Sequence, residues 1–188
     1  MTDLAAIYSI DPEDFNLTPG AFDHQSKLHG IGHVYRVMIH CLELGLSLNF
    51  VNEARLAFFA AYIHDLSRKH DGRCMQHGSW AANEKLPLYG ALFTRYGIGD
   101  KDLEHIRTAI VYHSMQEELP SVHPSWRVTA ILKDADALDR IRLGESDLDP
   151  GYLRFKETLN RIGFARELYF ATYGKPLKGF SEVISLGI

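Results

Sequence analysis

The sequence predicts an all-α protein built as one helical bundle, and two observations predict this class. Apolar residues recur three and four residues apart along most of the chain, which is the period of an amphipathic helix. No series of segments with the alternating polarity of β-strands is found in the sequence. The 188 residues, 46% of them hydrophobic, are enough for one domain with a substantial core.

Composition and charge exclude several classes of function. The formal net charge of −4 gives no general attraction to nucleic acids or anionic membranes. No apolar run approaches the roughly 20 residues of a membrane span, and the amino terminus lacks the order of a signal peptide. Two isolated cysteines do not make a disulfide framework, so we expect a cytoplasmic protein. From the charge and the lack of a long apolar run, we expect neither a membrane nor a nucleic acid polymer as its partner.

The first three helices follow from local signals. A short amino-terminal helix is expected to end at the turn-forming residues 11–20. From residue 31 to about 46, apolar residues at helical spacing form one face. Asn49 is expected to cap a helix from 51 to about 68, and because this helix is apolar on nearly every side it predicts the buried centre of the bundle.

The later helices are predicted at 79–97 with a bend near Pro87, 101–114, 126–144 and 152–173. Asp100 and Ser125 are expected to cap the second and third of these, and Gly144 to end the third. The last helix is long and amphipathic, and its apolar face would serve the core or a homodimer equally well. The tail from residue 175 is expected to form a short strand or to pack as coil.

The central helix ends on two polar residues, His64 and Asp65, directly after the apolar run FFAAYI. A carboxylate near the end of a core helix is costly unless it is paired, hydrogen-bonded or bound to a cation. Arg68 lies three residues further on and offers one partner, in which case His64 is a core histidine. A bound metal ion is the other solution.

Other helices also bring imidazoles and carboxylates to mostly apolar faces. His29, His33 and Arg36 are spaced to share one face, Asp136 is expected to point inward, and His113 closes the apolar face of its helix. Helices that converge with such groups form metal sites in bundles, and mixed nitrogen and oxygen ligands suit divalent first-row ions. The alternative is a cluster without metal, in which the acids pair with Arg36, Lys133 and Arg140.

Together these motifs resemble those of the HD-domain superfamily of metal-dependent phosphohydrolases. The matching segments are HGIGHVYRV at 29–37, IHDLSR at 63–68 and KDADALDR at 133–140, a motif core of about 29–140. The resemblance implies a single HD-type helical domain over residues 1–188, with a metal site between the helices. Its metal ligands would be His33, His64, Asp65 and Asp136. Asp136 rather than Asp134 is chosen because the family ligand is the acid of an Ala-Asp pair.

Two further histidines are candidates for a second ion. His113 resembles a position that binds the second metal in two-metal members, and His77 resembles an element found in part of the family. Each has an alternative interpretation, as a half-buried core histidine and as a loop histidine respectively. The expected cofactor is therefore one or two divalent ions of manganese, iron, nickel, cobalt, zinc or magnesium.

The resemblance implies hydrolysis of a nucleotide or another small phosphate ester by a metal-activated water. Asp65 or Asp139 would orient the attacking water. Arg36 and His29 would offset charge on the phosphoryl group, with Lys133 as a further phosphate-binding candidate. Arg36 could equally orient a carboxylate.

Two other functions stay open on the sequence. The chain could be a di-iron oxygenase, if His77 and His113 complete a second iron position, or a non-catalytic regulatory module that binds a metal or a nucleotide. The remaining histidines are expected on the surface or in loops: His24, His40, His70, His105 and His123.

Overall fold

The computed structural model describes residues 3–144 and 146–186, and these residues form helices and no strand. The α-helices are α1 Leu4–Tyr8, α2 Ile31–Leu48, α3 Val51–Ile63, α4 His77–Trp80, α5 Gly90–Arg95, α6 Asp100–His113, α7 Trp126–Leu138, α8 Ile162–Thr172 and α9 Phe180–Ile184. Single 3₁₀ turns join several of them. The prediction of an all-α protein is confirmed.

Helix α3 is the centre of the bundle and packs against α2, α6 and α7. Every residue from Ala57 to Ser67 is buried, which confirms the expectation from a helix that is apolar all round. The stretch includes His64 and Asp65, so both polar side chains lie inside the core. Phe15 and Phe180 cover the neighbouring part of α3 by ring contacts with Phe58.

The ends of α2 and α3 differ from the prediction. Asn49 does not begin α3: it ends α2 in the left-handed conformation, with φ 57°, which asparagine tolerates better than most residues. Helix α3 ends at Ile63 rather than near Arg68, because the chain turns there with a hydrogen bond from the Leu66 amide to the Ile63 carbonyl. This turn directs His64 and Asp65 toward α2, α6 and α7.

The predicted helix at 152–173 is wrong in its first half. Phe155 is extended, with ψ 135°, a 3₁₀ turn follows at Lys156–Arg161, and only Ile162–Thr172 is α-helical. The cause is Asp134, whose fully buried carboxylate accepts hydrogen bonds from the amides of Arg154 and Phe155. Thr158 donates a further bond to the same carboxylate. Amides bound in this way are not available for hydrogen bonds within a helix that begins at residue 152, so regular helix starts only after this segment.

Two smaller predictions have mixed outcomes. The bend near Pro87 is present, since α4 continues into a π-helical turn at Ala81–Lys85 and a 3₁₀ turn at Leu86–Tyr89 before α5 begins. In the tail, residues 175–179 are coil as one of the two alternatives had it, whereas Phe180–Ile184 form the short helix α9, which was not predicted and which Phe180 anchors in the core. Among the described helices, none is both long and apolar enough to cross a bilayer.

Candidate metal centre

Six side chains from five helical elements form one cluster beneath the surface. His33 comes from the first turn of α2, and His64 with Asp65 follows the end of α3. The other three come from the start of α4, the end of α6 and the last turn of α7. The six residues, all predicted from the sequence as ligand candidates, are His33, His64, Asp65, His77, His113 and Asp136.

Four of these side chains surround a first position that suits an ion. The Nε2 atom of His33 lies 3.2 Å from Nε2 of His64 and 3.4 Å from Oδ2 of Asp65. It lies equally far, 3.4 Å, from Oδ1 of Asp136. His33, His64 and Asp136 thus bring their ligand atoms within 4.8 Å of one another.

A second position lies on the other side of Asp65. Its Oδ1 atom is 3.0 Å from Nε2 of His77 and 3.6 Å from Nε2 of His113. These two imidazole nitrogens are 2.8 Å apart. The two oxygens of Asp65 therefore face different groups of histidines, the arrangement of a carboxylate that bridges two ions.

The spacing of these atoms fits metal coordination. Ligand atoms at about 2.1 Å from an ion stand about 3.0 Å apart at right angles and about 3.4 Å apart at tetrahedral angles. The separations of 3.2 and 3.4 Å around the first position and of 2.8 to 3.6 Å around the second are of that size. The donor set of imidazole and carboxylate suits a divalent ion.

All four imidazoles of the cluster are oriented by their outer nitrogen. The Nδ1 atoms of His64, His77 and His113 face the carbonyl oxygens of Ala61, Cys74 and Ile110. Nδ1 of His33 faces Oδ2 of Asp139 at 2.7 Å. Because these partners only accept hydrogen bonds, each Nδ1 carries a proton and each Nε2 faces the cluster, which is the orientation of metal-ligating histidines.

Lone pairs at this distance repel unless a cation lies between them. Burial lowers the pKa of His64 to about 3 and also lowers the pKa of His77, so both rings are neutral at pH 7. The Nε2 atoms of His64 and His77 are therefore acceptors, and a metal ion or a proton must lie between each of them and its neighbour, Nε2 of His33 at 3.2 Å and Nε2 of His113 at 2.8 Å. The carboxylate oxygens of Asp65 and Asp136 beside them complete the kind of donor set that a divalent ion takes.

The two positions differ in their competition with basic side chains. Arg68 donates from Nε to Oδ1 of Asp65 at 2.9 Å, which is the oxygen that faces the second position. A carboxylate oxygen has two lone pairs, so Oδ1 can serve Arg68 and an ion together, but it shares its charge between them. We therefore expect weaker binding at the second position than at the first.

Arg36 and Asp139 have a different role from the one expected for catalysis and phosphate binding. Arg36 donates to both oxygens of Asp139 from Nε and Nη2, and its Nη1 donates to Thr172. Burial opposes ionisation of Asp139, but Arg36 and the imidazole of His33 more than offset it and hold the pKa of this carboxyl below its usual range. Because Asp139 is 1% exposed and binds the outer nitrogen of His33, it orients that ligand and not a water. The contacts of Arg36 agree with the alternative that it orients a carboxylate.

The cluster opens to solvent beside Asp136, whose side chain is 32% exposed. There it borders a cavity of about 420 Å³, which we call the centre cavity. Ionisable residues dominate its wall, and they include His113, Lys133, Asp136, Arg140, Asp147 and Arg154. A small polar molecule in this cavity would lie directly against two of the candidate ligands.

Of the two remaining candidates for substrate binding, Lys133 and His29, only Lys133 lines the centre cavity. Lys133 lines it, but its Nζ already donates to Glu118 and to the carbonyl of Met115. His29 does not line it: its ring is buried beside His33 and its Nδ1 faces Asp71 at 3.2 Å. Burial lowers the pKa of His29 to about 4.

Sequence reasoning missed some residues around the site. Arg142 and Arg154 were not singled out, although Arg142 contacts Asp139 and Arg154 lines the centre cavity. Their only signal in sequence is their charge within or near the third motif. His40, expected on the surface, is buried on α2 against the ring of Phe164, so that expectation is wrong.

The case for a metal centre thus rests on the orientation of four imidazoles and on the spacing of their Nε2 atoms. Among residues 3–144 and 146–186, no lysine or arginine forms an ion pair with Oδ2 of Asp65 or with Asp136, the carboxylate oxygens of the first position. Protein-family models, curated proteins and solved structures offer no match to this chain.

Proposed function

We propose that this protein is a metal-dependent phosphohydrolase of the HD-domain type, acting on a nucleotide or another small phosphate ester. The observation that carries the proposal is the cluster of inward-facing Nε2 atoms around Asp65, which opens at Asp136 onto a cavity lined by both cationic and acidic side chains. Order and spacing of the three sequence motifs support the same family.

His33, His64, Asp65 and Asp136 would hold the first ion. Asp65, His77 and His113 would hold the second. A divalent ion at such a site supplies a Lewis acid that activates water and withdraws charge from a phosphoryl oxygen. Around it, the protein keeps the ligand atoms fixed through the outer hydrogen bonds of the histidines.

The centre cavity suits a compact polar substrate. Its wall carries three cationic side chains, Lys133, Arg140 and Arg154, together with the carboxylates of Glu118, Asp136, Asp147 and Asp149. A phosphate group held there would be bound through the metal ions and through the guanidinium groups, whose geometry matches phosphate oxygens. Arg140 is about half exposed, and its Nε donates to the Asp147 carbonyl, so part of its guanidinium stays accessible. The volume of about 420 Å³ fits a small ester better than a polymer.

A hydrolysis panel tests the proposal. The protein, loaded in turn with each divalent ion, is assayed with p-nitrophenyl phosphate, nucleoside monophosphates and cyclic nucleotides. We expect at least one substrate to be hydrolysed, and the activity to be lost in Asp136→Asn. The matched control is Asp100→Asn, which removes an exposed carboxylate from the opposite end of α6, about 20 Å from His113.

Inactivity across the whole panel, with the metal bound, would contradict hydrolysis and favour the non-catalytic regulatory module. An activity that survives Asp136→Asn unchanged would show that it does not arise at this centre.

A di-iron oxygenase is the second candidate, and one observation favours it. His77 and His113 form a second position next to Asp65, so each of two irons would have its own protein ligands, with Asp65 shared between them. Electron paramagnetic resonance of the protein as purified separates the two functions. A mixed-valence di-iron signal with oxygen consumption would favour the oxygenase, and a redox-inactive divalent ion with phosphatase activity would favour the hydrolase.

A further inference from the structure

A second cavity lies where the first turn of α2 meets the end of α8, and we call it the α2–α8 cavity. Its volume is about 640 Å³, which is within the usual range of small-molecule sites. Gly30 and Gly32 form its floor on α2, and Thr172 and Tyr173 contribute from the end of α8. It is distinct from the centre cavity, because the two share no wall residue.

The charged side chains of this cavity are all positive. Among the described residues, no aspartate or glutamate lines it, whereas Lys27, Arg36, Arg142 and Lys175 do. Arg36 and Arg142 share the single carboxylate of Asp139 behind the wall, and the two lysines are exposed at the rim. The cavity therefore has a net positive charge, and its concave shape concentrates that field on a bound anion.

The backbone adds to this preference. Helix α2 has 18 residues, and no side chain caps it at Gly30, so its first amides stay free at the positive end of the helix dipole. Gly32 lets the guanidinium of Arg36 lie close to this end of α2, because a Cβ there would lie 3.3 Å from Nη1 of Arg36. The amino-terminal end of α2 and the cationic side chains thus both favour an anion in the α2–α8 cavity.

Part of the wall is aromatic and apolar. Tyr169 and Tyr173 have ring centroids 5.2 Å apart, and Arg36 lies over the ring of Tyr169. Tyr173 is 66% exposed and Leu28 is 40% exposed, so flat apolar surface faces the cavity next to the cations. Such a wall can take a ring system attached to an anionic group.

The metal cluster is out of reach from here. Of the six candidate ligands, only His33 borders the α2–α8 cavity, and its side chain is 1% exposed with Nε2 turned toward His64. We propose that the α2–α8 cavity is a second, non-catalytic site that binds a ring-bearing organic phosphate of about nucleotide size. The inference does not depend on hydrolysis or on metal binding at the centre.

Calorimetric titration with phenyl phosphate tests this site in the full chain after the metal has been removed by a chelator. We expect one phenyl phosphate to bind per chain, and phenol to bind much more weakly because it lacks the charge. In Lys27→Gln with Lys175→Gln, we expect the dissociation constant to rise by about tenfold or more, as for the loss of two charge-assisted contacts. The control with the same change of charge is Lys101→Gln with Lys156→Gln, two exposed lysines outside the cavity wall, and it should bind as the parent does.

Asp136→Asn separates this site from the metal centre, since we expect it to leave phenyl phosphate binding unchanged. Equal binding by the two double variants would overturn the proposal. Binding that appears only after a divalent ion is added, or that is lost in Asp136→Asn, would place the phosphate at the metal centre and also overturn it.

Discussion

Asp134 and Asp136 lie two residues apart on α7 and do different things. Asp134 is fully buried and holds the extended segment before α8, whereas Asp136 points to His33 at the centre. The resemblance selected Asp136 as the ligand, and the facing of the helix agreed with that choice. The function of Asp134 could not be predicted, because its partners lie 20 to 24 residues further along the chain.

We predict that Asp136→Asn loses most of the bound metal while keeping the stability of the metal-free parent, and that Asp134→Asn keeps its metal but is less stable than the metal-free parent when both are compared without metal. An amide at 134 would turn an N–H₂ group toward backbone donors, at a cost of about 1–3 kcal/mol in the free energy of unfolding. Elemental analysis and denaturant titration of the two variants measure both effects. Equal metal contents would refute the assignment of Asp136.

Asp139 is the other carboxylate for which sequence and structure differ. Its place one turn after Asp136 suggested a catalytic role, but a guanidinium and an imidazole from α2 occupy both of its oxygens. Such a contact spans more than 100 residues of sequence, and local spacing contains no information about it.

We predict that Asp139→Asn weakens metal binding by about 10- to 100-fold without removing a ligand, as for other outer partners of ligating histidines. At saturating metal, the variant should bind the parent number of ions. Competition with a chromophoric chelator measures the affinity, and Asp100→Asn is again the control. An affinity equal to that of the parent would show that Asp139 does not position His33.

Helix contacts decide whether the second position exists. Gly78 on α4 packs against α6 so closely that an added Cβ would collide with the Ile110 carbonyl and would lie 2.8 Å from Oγ of Ser114. This contact brings His77 next to His113. Only the two histidines were predictable, since close packing of two helices through a glycine leaves no local pattern in the sequence.

We predict that Gly78→Ala moves α4 away from α6 and lowers the metal content from two ions toward one per chain. The first position should keep its ion, because none of its ligands lies on α4. Gly163→Ala is the matched control, since a Cβ on this glycine of α8 meets no atom within 4 Å. Two ions per chain in Gly78→Ala, measured by elemental analysis, would contradict this role of the α4–α6 contact.

Elements also show where prediction from local pattern succeeds. The periodicity of α2, α3, α6 and α7 was enough to place them, because each has a long buried stretch, as from His33 to Gly45 in α2 and from Ala57 to Ile63 in α3. It failed at 152–161, where the amides of Arg154 and Phe155 bind a distant buried carboxylate, although the apolar spacing there is helical.

The bundle as a whole brings buried charge and buried lone pairs into one small volume. Without a cation at the two positions, Asp65, Asp136 and four Nε2 atoms face each other at the end of an apolar core, with Arg68 as the basic partner of Asp65. Convergence of the motifs was predictable from the faces on which they lie. The division into two positions around Asp65 was not, since it depends on the rotation of single side chains.

We predict that a divalent ion raises the thermal stability of the whole protein, because it binds the folded cluster and not the unfolded chain. At an ion concentration about 100 times the dissociation constant, the gain is about 2.7 kcal/mol in the free energy of unfolding. Thermal unfolding with and without a chelator measures the gain, and Asp136→Asn should show little of it. An unfolding temperature that does not respond to metal or chelator would contradict binding in the core.

Anomalous diffraction from crystals of the metal-loaded protein tests the central claim most directly, at the absorption edge of the bound metal. The account predicts one peak among His33, His64, Asp65 and Asp136, and a second, weaker peak among Asp65, His77 and His113. Anomalous density only elsewhere in the molecule, or none at full metal loading, would contradict it.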